Sequence, residues 1–214
     1  MFLKNVESIF KGDNLTLKQQ FANSIALTDE GLEVFFDQLS KRDYLSDSIV
    51  IITGDHGYPL GNHGVTTTEE GIYEESYRVP FLMVWPGKLN PRSIPPQEGV
   101  FSHVDLAPTL IDLLRLNVKS HHFIGQSIFS KEQNKPTFLV QPYSGIHLQI
   151  IQYPHKYRRH LALNKEWVYH LEKDPLETRN IVKHMSKQQL AKFRDSTLQI
   201  LFNQAVIDSN QVYR

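Results

Sequence analysis

The run Ile49-Val50-Ile51-Ile52 constrains this chain more than any other stretch. Four consecutive apolar, β-branched residues lack the alternation of a half-buried strand. They predict a strand buried on both faces, the pattern of a parallel sheet covered by helices. The strand ends at Thr53-Gly54-Asp55-His56-Gly57. In open α/β sheets, ligands gather beyond the carboxyl ends of strands. A carboxylate and an imidazole delivered there are a suitable donor pair for a divalent cation; the plainer alternative is a loop with a solvated acid and a hydrogen-bonded histidine.

The elements around this strand fit an α/β arrangement. Thr16-Leu17-Lys18-Gln19 has the form of a capping box. After it, Phe21, Ile25, Thr28, Leu32, Phe35 and Leu39 recur at helical spacing as one apolar stripe, interrupted by Gly31 where close packing of another backbone is expected. Residues 42–47 turn the chain into the strand. Val79 to Trp85 predicts a second buried strand, and Lys88 to Gln97, rich in proline and polar residues, a surface loop. Asp105, preferred to Ser102 as N-cap, opens a helix with Pro108 in its first turn. His103, at the end of the preceding strand, is a candidate for contact with metal or substrate.

Beyond Ser130, short strands are expected at 137–140, 146–152, 160–163 and 167–171, the last two joined by Asn164-Lys165-Glu166. Ser186-Lys187-Gln188-Gln189 opens a final helix with Leu190, Phe193, Thr197 and Leu201 on one face. The domain reading is therefore 1–131 as the larger α/β part and 132–214 as a small antiparallel subdomain with a terminal helix.

Further motifs follow Asp55 in order: Gly61-Asn62-His63-Gly64, then Tyr73-Glu74-Glu75-Ser76-Tyr77-Arg78-Val79-Pro80, Ser102-His103-Val104-Asp105, and Leu171-Glu172-Lys173-Asp174-Pro175-Leu176-Glu177-Thr178-Arg179-Asn180. This series resembles the sulfatase-like branch of the alkaline phosphatase superfamily, which also holds phosphonate monoester hydrolases and phosphoglycerol transferases of the lipoteichoic-acid-synthase type. The resemblance runs from about residue 20 to about residue 185. It implies part of a three-layer α/β/α domain, followed by the small antiparallel sheet and helix. The implied activity is metal-dependent hydrolysis of sulfuric, phosphoric or phosphonic esters. The alternatives are a phosphoglycerol-transferase-like enzyme or a non-catalytic binding module.

On this resemblance Asp55 and His56 align with a pair of metal ligands. His63 aligns with a histidine that contacts substrate or donates a proton, although it could equally cap its own loop. One divalent ion is implied, with Mn²⁺ or Zn²⁺ favoured by the imidazole and Ca²⁺ as the alternative. The sequence departs from the pattern at Thr68, where many relatives carry a lysine that binds the anionic substrate; Thr68 remains a candidate substrate contact. No Cys/Ser-x-Pro-x-Arg nucleophile motif occurs. The expectation is a carboxyl-terminal half of the domain, with an amino-terminal half packing against it.

Composition narrows the partners. Lys+Arg and Asp+Glu both number 23, so charge favours neither nucleic acid nor an anionic membrane. The densest basic cluster, Lys156-Tyr157-Arg158-Arg159-His160, reads as a solvated strand edge, with a phosphate-binding patch as the alternative. The expected ligand is a small anionic ester or a lipid- or glycan-linked one. There is no cysteine, hence no disulfide and no thiolate metal site. No stretch approaches the roughly 20 apolar residues of a membrane span, and no signal peptide stands at Met1 to Glu7. That leaves the compartment open, whereas the resemblance implies a periplasmic, extracellular or membrane-anchored setting.

Overall fold

The computed structural model describes residues 10–90, 99–118, 123–130, 135–143 and 145–211, with the backbone alone at 200 and 203–211. The chain forms two compact units, Met1–Gly71 with Glu75–Ser93, and Ile72–Glu74 with Ile94–Arg214. The boundary expected at 131/132 lies outside the described residues.

In the first unit, α1 (Leu17–Lys41) opens on the expected capping box: Thr16 N donates to Gln19 Oε1 at 2.9 Å, and Gln19 N to Thr16 Oγ1 at 3.3 Å. Ala26 is fully buried, but Ile25, Leu27, Val34 and Phe35 are all at least half exposed. The apolar stripe is thus only partly covered, and apolar side chains also occupy the outer face. Nothing lies within 4 Å of the position a Cβ would take at Gly31, so the close backbone expected there is absent among the described residues.

β1 (Val50–Thr53) pairs with β2 (Phe81–Val84), Val50 opposite Val84 and Thr53 opposite Phe81. This pairing is antiparallel, which corrects the parallel expectation for these two strands. β1 is half-buried along its length rather than enclosed, and Phe81 and Leu82 are largely exposed. An unbroken apolar run records a capacity for burial, not the direction of its neighbour, and large α/β sheets commonly carry antiparallel strands. Beyond β2, Lys88 anchors to Asp47 at 2.8 Å, and this holds the Asp47 carboxyl below its ordinary range. Positions 91–97 of the expected loop lie outside the described residues.

In the second unit, β3 (Thr137–Gln141), β4 (His147–Gln152), β5 (His155–His160) and β6 (Lys165–His170) form an antiparallel meander in chain order. One face is covered by a terminal helix (Lys187–Gln211) that starts at the Ser186–Gln189 capping box. On that face the Phe193 ring stacks on Tyr157, centroids 5.3 Å apart, over Ile150 and Val168. The expected small antiparallel sheet with a terminal helix is therefore present.

Two details of that sheet differ from expectation. The strand expected at 160–163 is replaced by a turn: β5 ends at His160, residues 161–164 form the turn, with Asn164 left-handed at φ 49°, and Lys165 and Glu166 already lie inside β6. The basic cluster is no solvated edge either: it forms β5, an interior strand in which Lys156 and Arg158 are 0% and 2% exposed. Buried charge requires compensation. Lys156 Nζ stands 3.0 Å from Glu74 Oε1 and 2.9 Å from Glu177 Oε1. The Arg158 guanidinium lies 4.1 Å from the Trp167 ring centroid and 4.8 Å from that of Tyr73, geometry suited to cation–π attraction. Burial holds the Glu177 carboxyl above its ordinary range even beside Lys156.

A helix at Leu106–Leu113 follows a tight turn at His103–Asp105. Asp105 occupies the N-cap position, but its carboxylate accepts from Ser102 N at 2.9 Å and Gln126 N at 2.8 Å rather than from that helix. Ser102 opens the turn, so the capping role is shared and the preference for Asp105 alone is corrected. Among the described residues no helix is long and apolar enough to cross a membrane.

Candidate metal and ester site

The first unit assembles its candidate site from three loops around one short helix. β1 delivers Asp55 and His56 one residue past its end, after Gly54. His56 N donates to Asp55 Oδ1 at 2.9 Å. His56 Nδ1 lies 2.8 Å from the Gly57 carbonyl, which can only accept, so the proton sits on Nδ1. In the neutral ring Nε2 then presents a lone pair, and it faces Asp55 Oδ2 at 3.6 Å. Two electron-rich atoms so placed repel unless a proton or a cation lies between them. Two donors sharing a cation at about 2.1 Å each stand about 3.0–3.6 Å apart, so the observed spacing suits a shared ion. The side chains of Asp55 and His56 are 88% and 55% exposed.

The loop Gly61-Asn62-His63-Gly64 is a tight left-handed turn, with φ of 86° at Gly61, 54° at His63 and 73° at Gly64. Glycine adopts this conformation without penalty, whereas histidine does so at a cost of about 1–2 kcal/mol. His63 Nδ1 lies 2.7 Å from Glu75 Oε1, and the two side chains are only 18% and 16% exposed.

Glu75 sits on α2 (Glu74–Tyr77), which serves as the common mount. Gly57 N donates to the Ser76 carbonyl at 2.9 Å, tying the Asp55–Gly57 loop to α2. A Cβ at Gly57 would lie 2.2 Å from the Glu75 carbonyl oxygen, so only glycine allows this approach. Thr68 begins the turn Thr68–Glu70, its carbonyl accepts from Gly71 N at 3.1 Å, and Gly71 in turn packs on the buried Ser76. Asp55, His56, His63 and Thr68 are therefore all carried by loops anchored to α2 or its neighbours. His103 belongs to the second unit, where it is exposed at the start of the His103–Asp105 turn.

Glu75 is the residue that sequence reading did not single out as functional. It stood inside a quoted motif, but a four-residue helix is too short to show periodicity, and its partner His63 lies twelve positions away. Among the described residues no cluster of three or more histidine and carboxylate side chains surrounds a single point. Asp55 and His56 thus fit two positions of a cation's shell and no more.

The sequence profile of the sulfatase family matches residues 6–116, just over half of the chain. The N-acetylglucosamine-6-O-sulfatase of Bacteroides thetaiotaomicron is 25% identical over 199 residues, covering 86% of this chain and 34% of that protein. The arylsulfatase of Chlamydomonas reinhardtii is 37% identical over 86 residues, 40% of this chain and 13% of that protein. The chain therefore spans about a third or less of these relatives. Among solved structures, a protein in complex with its substrate D-glucosamine-2-N,6-O-disulfate superposes with a TM-score of 0.67 at 23% identity, covering 87% of this chain and 40% of that one. A 2-O glycosaminoglycan sulfatase gives 0.61 at 23% identity, over 92% and 43%. These likenesses carry the fold, an α/β domain of the alkaline-phosphatase type. The chain belongs to the sulfatase family, within the alkaline phosphatase superfamily.

Proposed function

We propose that this chain carries the distal side of a sulfatase-type active site, which hydrolyses a sulfate ester borne by a sugar. The observation that carries the reading is the convergence of Asp55 Oδ2 and His56 Nε2 at 3.6 Å in a chain of this family. In this reading Asp55 and His56 supply two ligands to one divalent cation, Mn²⁺ or Zn²⁺ in preference to Ca²⁺ because imidazole is a poor partner for a hard ion. When bound, the cation neutralises charge gathering on the ester oxygens.

His63 handles the leaving group. As the ester S–O bond breaks, the sugar oxygen keeps the electron pair and takes the Nε2 proton of the His63 imidazolium, which leaves the neutral ring with its Nδ1 proton still donated to Glu75. The nucleophile and the remaining ligands come from an amino-terminal part of the domain. The uncovered apolar side chains of α1 and β2, such as Leu27, Val34, Phe81 and Leu82, support a further layer there. The sulfated-sugar substrate named for two of the relatives above is extended to this chain on its likeness to them, and an extracellular setting on its likeness to extracellular sulfatases of the Sulf-1 type.

A phosphoester or phosphonoester hydrolase is the second reading, favoured by Thr68 in the position where a lysine would bind free sulfate esters. Turnover by the protein joined to its amino-terminal half separates the two. The first reading expects release of sulfate from an aryl sulfate or a 6-O-sulfated glucosamine at a rate exceeding release of phosphate from the matching phosphate ester. Faster phosphate release assigns the second, and no turnover of either ester, with the metal site loaded, removes both.

A further inference from the structure

We propose that Glu75 is a positioning residue for His63, holding its imidazole in the Nδ1–H tautomer so that Nε2 points away from the carboxylate toward the reacting ester. The inference rests on the reading above for the use made of Nε2, but the dyad itself stands on geometry.

The contact is short, 2.7 Å, and involves a charged acceptor, the class of hydrogen bond roughly twice as strong as a neutral one. The two side chains are 18% and 16% exposed, so the contact is largely shielded although the His63 backbone lies at the surface. Because a carboxylate only accepts, the proton of the bond belongs to Nδ1. The opposite ring nitrogen is then fixed in direction by a bond it does not itself make.

The backbone on each side is held as well. His63 occupies a left-handed conformation between two glycines in the same conformation, in a turn that glycine or asparagine would form with less strain. Strain kept at one residue calls for a compensating contact, and the Glu75 bond is one. Glu75 in turn cannot drift: its carbonyl lies against the Cα of Gly57, and Gly57 N bonds to the next carbonyl, that of Ser76, at 2.9 Å. One side-chain bond and one backbone bond therefore link His63 to the loop that carries Asp55 and His56. A turn that merely needed closing would require neither the imidazole nor a buried acid twelve residues later.

The test is ¹⁵N NMR of the histidine rings in the full 214-residue chain. The wild type is expected to show neutral His63 as the Nδ1–H tautomer. Glu75→Ala is expected to shift it to the Nε2–H tautomer that a histidine side chain prefers in water, and Glu75→Gln to restore Nδ1–H, since the amide oxygen still accepts. An Nε2–H ring in the wild type overturns the proposal without any variant. So does an unchanged ring in Glu75→Ala, or a loss in Glu75→Gln as complete as in Glu75→Ala.

A second arm uses the protein joined to its amino-terminal half. Glu75→Ala is expected to lower kcat by about 10–100-fold with a smaller change in KM, and Glu75→Gln to recover part of it. An unaltered kcat in Glu75→Ala overturns the positioning role. If no ester is turned over by the wild type, the functional reading falls while the NMR result still decides the dyad.

Discussion

Removal of the Lys156 side chain is expected to strip a buried carboxylate of its counter-charge. Lys156 is fully buried, and its Nζ stands 3.0 Å from Glu74 and 2.9 Å from Glu177, whose side chain is also fully buried. Glu177 Oε2 is further engaged by Glu74 N at 2.6 Å, so the carboxylate cannot swing out to water without breaking that bond. Lys156→Met keeps the aliphatic volume but leaves a buried carboxylate unpaired, for which the expected loss is about 3–5 kcal/mol. With a urea dependence of about 2 kcal/mol per molar, the unfolding midpoint falls by about 1.5–2.5 M.

The sign with pH follows from Glu177. Its folded carboxyl is already raised by burial, with Lys156 acting against the rise. Removing Lys156 raises it further. A raised acid contributes stability at low pH that is lost as pH climbs through the folded value. The deficit of Lys156→Met is therefore largest near about pH 8 and narrows toward about pH 5 as Glu177 takes up a proton. The assay is urea unfolding of both proteins at the two pH values. A loss below about 1 kcal/mol at the higher pH, or a deficit independent of pH, refutes the reasoning.

Other expectations test the site and the second sheet. Gly57→Ala places a methyl 2.2 Å from the Glu75 carbonyl oxygen, so α2 must move; thermal unfolding should report a loss of about 2–4 kcal/mol, and divalent-metal affinity should fall in the same variant. His147 is pushed down to about 4, first by burial and then by His160 and Arg158. The unfolded chain therefore binds a proton there that the folded chain refuses, and stability should fall as pH drops from about 6.5 toward about 4. His147→Gln should flatten that limb, and an unchanged slope would show that the burial of His147 does not govern it.

The sequence was most readable where local chemistry decides the outcome. Thr16–Gln19 and Ser186–Gln189 form their capping boxes as written, because both partners lie within one helical turn. The Asp55-His56 pair falls just past the end of a strand because an apolar run cannot continue through Gly54. What stayed hidden depends on partners distant in the chain. Lys156 and Arg158 look like solvent-facing charge until Glu74, Glu177, Tyr73 and Trp167 surround them, and Glu74 is eighty-two residues away. β1 looked like a parallel core strand because its composition records burial but not the direction of β2. Glu75 escaped notice for the same reason: its meaning is the distance to His63, and no local pattern states it.

The claim on which the account turns is that Asp55 and His56 share a divalent cation. Titrating Mn²⁺ into ¹⁵N-labelled protein while following amide signals locates the ion directly, because a bound paramagnet broadens nearby resonances first. The account predicts that the amides of Gly54 to Gly57 fade at the lowest Mn²⁺ additions, and that Asp55→Ala abolishes this selectivity. Broadening that begins elsewhere, or that is the same in Asp55→Ala, would contradict it.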